Sequence, residues 1–142
     1  MNFKEKLKKA SEDAGISMND LKLDQFEEFY HLLIEKNKVM NLTAITDEEE
    51  VIEKHFIDSL TCRRVMDMGS VKSLIDIGTG AGFPGIPLKI IYPEISVVLL
   101  DSLNKRVKFL NEVIDELGLS RVEAVHGGAE DLARKQEYRG RF

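Results

Sequence analysis

Cysteine occurs once in these 142 residues, at Cys62, and tryptophan not at all. A single thiol cannot close an internal disulfide, and no group of cysteines and histidines has metal-ligand spacing. A stapled secreted scaffold and a structural zinc site are therefore excluded, and a reducing cytosol is the expected compartment. Long apolar runs are also missing. No stretch approaches the roughly 18 apolar residues of a membrane span, and Met1-Asn2-Phe3-Lys4-Glu5-Lys6-Leu7 carries charge with no apolar core behind it, so neither a signal peptide nor an anchor is expected. Basic residues are in the minority, 20 against 25 acids for a net charge of -5, which argues against a polyanion binder held by bulk charge but leaves room for a local basic face. What remains, 43% hydrophobic and 32% charged, is an ordinary globular mixture of a length that suits one domain, or one domain with a small appendage.

Hydrophobic spacing divides the chain. Phe3, Leu7, Ala10 and Ala14 recur at helical intervals ahead of Gly15, and Leu23, Phe26, Phe29, Tyr30, Leu33 and Ile34 mark a second helix to about Lys38, entered through capping residues between Ser17 and Asp20. Thr46, followed by Glu49, forms a capping box for a third helix over about Asp47 to Val65, with Val51, Ile52, His55, Phe56 and Leu60 inward. Near Ser73 the period changes. Leu74, Ile75 and Ile77, then Val97 to Leu100, then Val122, Ala124 and Val125 read as buried strands, separated by helices at Gly85 to Ile91 and Asn104 to Leu117. This βαβαβ alternation predicts an α/β fold with an open parallel sheet, preceded by a helical region over 1–69.

The densest chemical signal is Leu74-Ile75-Asp76-Ile77-Gly78-Thr79-Gly80-Ala81-Gly82-Phe83-Pro84-Gly85. Glycines directly after a buried strand allow a tight turn, a close ligand approach, and helix N-terminal N–H groups aimed at an anionic group. Gly80 to Gly85 also satisfies the dinucleotide fingerprint, which leaves a nicotinamide-dependent oxidoreductase as an alternative. Asp76 shifts the balance, since a carboxylate just before the first glycine would repel a pyrophosphate and attract the ammonium of S-adenosyl-L-methionine. Asp101 ends the second strand, where an acid accepts both ribose hydroxyls or caps the following helix. Thr79 and Ser102, beside these groups, join the cofactor set. After the third strand, Ala129 and Glu130 sit where an adenine edge would lie, although Ala-Glu-Asp alone also reads as a helix start. His31, His55 and His126 lack partner spacing and read as solvated or half-buried. Lys4, Lys6, Lys8 and Lys9 read as a solvated helix face, with RNA phosphate as the alternative.

Asn37 to Ile45 (NKVMNLTAI), His55 to Leu60 (HFIDSL), Leu74 to Leu88 (LIDIGTGAGFPGIPL), Leu100 to Arg106 (LDSLNKR) and Gly128 to Asp131 together resemble the bacterial small-subunit ribosomal RNA methyltransferase G family, also called glucose-inhibited division protein B. The resemblance implies a Rossmann-like class I S-adenosyl-L-methionine-dependent methyltransferase fold, with 70–142 as the N-terminal half of its cofactor domain. It implies N7 methylation of a guanosine in 16S rRNA, with the small ribosomal subunit as partner and the cytoplasm as location. By position it assigns Gly78, Phe83, Ala129 and Glu130 to the cofactor, beside Asp76, Gly80, Gly82 and Asp101. Glu35-Lys36 replaces a tryptophan usual in the family, and Gly128 replaces a common arginine.

Guanine N7 carries a lone pair and no proton, so no acid or base is assigned. The chain stops at Phe142, where the resemblance predicts the lead into a fourth strand. The expectation is an incomplete copy, inactive alone, needing its missing half or self-association through the first strand; a non-catalytic cofactor-binding fragment is the other alternative.

Overall fold

The computed structural model of this chain describes residues 1–61 and 71–128. Helix α1 (Phe3–Asp13) opens with a capping box in which Asn2 Oδ1 accepts the Glu5 N–H at 2.9 Å and the Glu5 carboxylate accepts from the Asn2 N–H. Phe3 and Leu7 are buried and Ala10 and Ala14 pack against the same core, which is the stripe read from the sequence. Helix α2 (Asp20–Met40) starts from an Asn19 cap and buries Leu23, Phe26, Phe29 and Leu33 before Asn41 ends it in the left-handed conformation. Each buried aromatic here removes enough apolar surface to contribute about 1.5–3 kcal/mol.

The third helix departs from expectation in two ways. Its N-cap is Asp47, which accepts from the Glu50 N–H at 3.3 Å, while the Thr46 carbonyl accepts the Tyr30 hydroxyl and so ties the connection to α2. The body is continuous but uneven, with α3 (Glu48–Glu50) and α4 (Asp58–Leu60) flanking a π-helical segment, Val51–Ile57. A π turn brings residues five apart onto one face, and Val51 with Phe56 and Ile52 with Ile57 are buried in that spacing.

Strands β1 (Ser73–Ile77), β2 (Ser96–Asp101) and β3 (Val122–His126) form a parallel sheet in the order β1-β2-β3, with Ile77 opposite Leu100 and Asp101 opposite His126. Parallel crossovers are right-handed as a rule, and two in one direction put α5 (Gly85–Ile91) and α6 (Asn104–Leu117) on one face, where both join the same core. Val97 and Leu99 belong to the core shared with these helices, whereas Val98 and Leu100 point to the opposite face and are buried there. The helical layer docks through α2: Lys22 Nζ donates to the Ile91 carbonyl at 3.1 Å and Gln25 Nε2 to the Leu117 carbonyl at 3.0 Å, satisfying the C-terminal ends of α5 and α6. The buried Lys89 acts similarly, donating to the Pro93 carbonyl at 2.8 Å and to that of Ile95. Lys4 pairs with Asp24 and Lys6 with Glu48, so two of the N-terminal lysines bridge helices instead of standing free for phosphate. The expected boundary after residue 69, and Cys62, lie outside the described residues.

Candidate cofactor site

The three strands end together, and their C-terminal ends carry the loop that the sequence singled out. In open parallel sheets ligands bind outside these ends. Gly78 and Thr79 both donate to the Leu100 carbonyl, at 2.8 and 3.1 Å, which folds the glycine loop back over β2. Gly80 adopts φ +61°, and a Cβ there would meet nothing within 4 Å, so its backbone lies open to an approaching ligand. Gly85 is required for the opposite reason: a Cβ would come within 2.3 Å of Leu99 Cδ2 and 2.9 Å of Asp76 Oδ2.

Two buried carboxylates hold the loop from beneath. Asp76 Oδ2 accepts the Thr79 hydroxyl at 2.7 Å and the Gly85 N–H at 2.9 Å, pinning both ends of the loop. Burial pushes its carboxyl above the ordinary range, opposed by those two hydrogen bonds and reinforced by the nearby Asp101. Asp101, 2% exposed, accepts the Gly80 N–H through Oδ2 at 2.9 Å and the Leu103 N–H through Oδ1 at 2.9 Å, with Arg106 3.5 Å away. Asp101 does not cap α6, whose N-cap is Leu103 with no side-chain cap bond; it holds the turn before that helix, and a ribose contact would have to share or displace these bonds. The N–H groups of Gly78, Thr79, Gly80 and Gly85 turn inward to Leu100 and the two acids, and those of Gly82 and Phe83 to the Thr79 carbonyl, contrary to the expectation that they face an anionic group.

Phe83 also differs from a simple ligand contact. Its ring points into the helical layer, 5.5 Å from Phe29 and 6.0 Å from Phe56 between centroids, and stacks on His55 at 4.5 Å and 11°. His55 Nε2 lies 2.8 Å from Thr43 Oγ1, Thr43 Oγ1 accepts the Ile45 N–H, and Asn37 Oδ1 accepts the Thr43 N–H at 2.8 Å. Burial pushes the imidazole below its ordinary value, against the pull of Asp58. His31 and His126 are exposed, as read, but His55 is built into the loop's support. Sequence spacing missed this role, although the segments holding Thr43 and His55 carried the family resemblance.

The structure therefore brings Asp76, Gly78, Thr79, Gly80 and Asp101 together, and Gly82 continues the turn by accepting the Ile86 N–H through its carbonyl. Ser102 follows Asp101 on the surface, and its carbonyl lies 3.1 Å from His126 Nε2. Ala129 and Glu130 lie outside the described residues. Among the described residues no acidic, Cys or His group is arranged to hold a metal, and no helix is long and apolar enough to cross a membrane.

A sequence profile of GidB, described as rRNA small subunit methyltransferase G, matches residues 22–140. The chain is 56% identical over 128 residues to the Ribosomal RNA small subunit methyltransferase G of Lachnoclostridium phytofermentans, an alignment covering 90% of this chain and 53% of that protein. It is 52% identical over 136 residues to the protein of the same name from Desulforamulus reducens, covering 96% and 57% respectively. Against that of Clostridium botulinum strain 657 it is 49% identical over 142 residues, covering 100% and 59%. The chain thus spans a little over half the length of the curated relatives it matches.

Proposed function

Because the chain belongs to the rRNA small subunit methyltransferase G family, we propose that it carries the S-adenosyl-L-methionine site of a cytoplasmic enzyme that methylates N7 of a guanosine in 16S rRNA. The observation that carries this reading is the pair of buried carboxylates, Asp76 and Asp101, which themselves take the Gly80 and Gly85 N–H groups of the loop above them. A pyrophosphate placed there would face two acids and few available donors. An ammonium group and a ribose diol would face acceptors, and Asp76 is a buried carboxylate whose raised proton affinity an adjacent cation would relieve.

Asp76 would hold the ammonium end and Asp101 the ribose hydroxyls, with Gly78 and Gly80 leaving room for the ligand and Thr79 orienting the Asp76 carboxylate. Ala129 and Glu130 are assigned to the adenine on the resemblance alone. The bound cofactor supplies a methyl group activated by a sulfonium. Since N7 has a lone pair and no proton to lose, the protein's contribution is positioning and exclusion of water, without a general base.

Titration calorimetry with S-adenosylhomocysteine and with NADH tests this reading on the chain itself. Saturable binding of S-adenosylhomocysteine and none of NADH is the expected outcome, and the reverse would establish the dinucleotide alternative. Asp101→Asn sets an NH2 against one of the two backbone N–H groups that the carboxylate accepts, so it should lower the melt somewhat and weaken S-adenosylhomocysteine by about ten-fold when measured below the variant's melt, because a charged acceptor's hydrogen bonds contribute roughly 1.5–3 kcal/mol. An unchanged dissociation constant would remove Asp101 from the site.

A further inference from the structure

A groove of about 290 Å³ opens beside the glycine loop, lined by Lys54, His55, Asp58, Ser59, Phe83 and Pro84. It is near the lower limit of small-ligand pocket size, suited to one planar ring system. Two of its lining residues, Phe83 and Pro84, are the last of the loop before α5, so whatever lies in the groove borders the candidate cofactor site. The facing residues come from the π-helical segment and the start of α4, and π turns occur disproportionately at functional sites.

We propose that this groove receives the guanine base of an unpaired RNA nucleotide, with Asp58 reading its Watson–Crick edge. The inference rests on the methyltransferase reading above and extends it to the substrate side. The stacked His55–Phe83 pair and Pro84 give the groove an aromatic and apolar wall of the kind on which unpaired bases stack. The His55 ring is fixed by Thr43, and Ser59 spends its hydroxyl on the His55 carbonyl. Asp58, by contrast, is exposed, and its carboxylate accepts no hydrogen bond among the described residues. An ionised carboxylate only accepts. Guanine alone among the four bases presents two adjacent N–H donors, N1–H and N2–H2, on its Watson–Crick edge. Adenine and cytosine each place a ring acceptor beside the amine, which a carboxylate repels. Guanine held by that edge keeps N7, on its opposite side, free for methylation. Lys54, the one lysine or arginine lining the groove among the described residues, is paired with Glu50 four residues earlier, an exposed ion pair that a phosphate could readily replace.

The test is NMR titration of the S-adenosylhomocysteine-loaded chain with guanosine, inosine and adenosine monophosphates, followed at the His55 imidazole. Expected are shifts at His55 and affinities in the order guanosine, inosine, adenosine. Asp58→Asn should lower guanosine monophosphate affinity by about ten-fold, to the adenosine level, while leaving S-adenosylhomocysteine affinity and the melt unchanged. A uridine pentamer with a central guanosine should bind more tightly than guanosine monophosphate; the reverse order would mark a free-nucleotide site and overturn the RNA assignment. Equal binding of the three nucleotides, shifts confined to other residues, or a guanine preference that survives Asp58→Asn would overturn the groove. Failure of S-adenosylhomocysteine to bind would instead refute the methyltransferase reading, and the nucleotide titration of the unloaded chain would still decide the groove.

Discussion

The Asp76 carboxylate accepts from Thr79 and Gly85 through one oxygen, yet burial raises its affinity for a proton. Asp76→Asn keeps an acceptor for the loop and removes a charge that is costly to bury, so the melting temperature should hold or rise while S-adenosylhomocysteine affinity falls by about ten-fold, the loss of a charge-assisted contact. Calorimetry and a thermal melt on the same variant separate the two effects; parallel losses would make Asp76 purely structural. The linkage sign follows from the direction of the shift. Between 3.8 and its higher folded value the native state binds more protons than the unfolded chain, so stability contributed by Asp76 falls as pH rises through that window. His55 behaves oppositely. Its folded value lies below 6.5, so the unfolded chain takes up protons first and stability is lost as pH falls from 6.5 toward the folded value. Urea midpoints of the wild type and His55→Gln across that range should diverge in slope; parallel curves would show that His55 does not titrate with folding.

At the scale of the glycine loop, Gly80 and Gly85 serve different ends and their alanine variants should part accordingly. Gly85→Ala forces a Cβ against Leu99 and Asp76 and should cost about 1–3 kcal/mol of stability, read as a lower urea midpoint at constant slope. Gly80→Ala meets no atom within 4 Å but puts a Cβ at positive φ and on the open side, so about 1–2 kcal/mol of strain should be joined by weakened S-adenosylhomocysteine binding. The first two helices and α6 were legible from one helical apolar period, and the strands from short apolar runs; α5, buried at every position, was legible from the prolines that open it. The π segment was not, because buried Val51, Ile52, Phe56 and Leu60 fit turns of either width, and only the backbone shows which one formed.

For the whole molecule, β1 pairs only with β2 among the described residues, and Ile77 at its end is 56% exposed. An open strand edge with an apolar neighbour is a template for another chain. We expect concentration-dependent self-association in sedimentation at several concentrations; a monodisperse monomer melting cooperatively above about 60 °C, the upper part of the usual mesophile range, would show that the edge is covered. We also expect these 142 residues to bind S-adenosylhomocysteine without methylating small-subunit RNA, and a chain extended to the relatives' length to do so. Turnover by the shorter chain would overturn that expectation.

The amino-acid sequence alone determined the alternation of strand and helix, the position of the glycine loop and the identity of its two acids, because these depend on local period and on residues adjacent along the chain. Tertiary structure decided how those groups are used. That Asp101 accepts from Gly80, 21 positions earlier, that Phe83 turns into the helical layer, and that Thr43, His55, Asp58 and Phe83 come together beside the loop all depend on how separate elements pack. No spacing rule encodes such contacts, since their partners become neighbours only once α2 has packed against α5 and α6 and the π-helical segment has met Phe83 of the glycine loop.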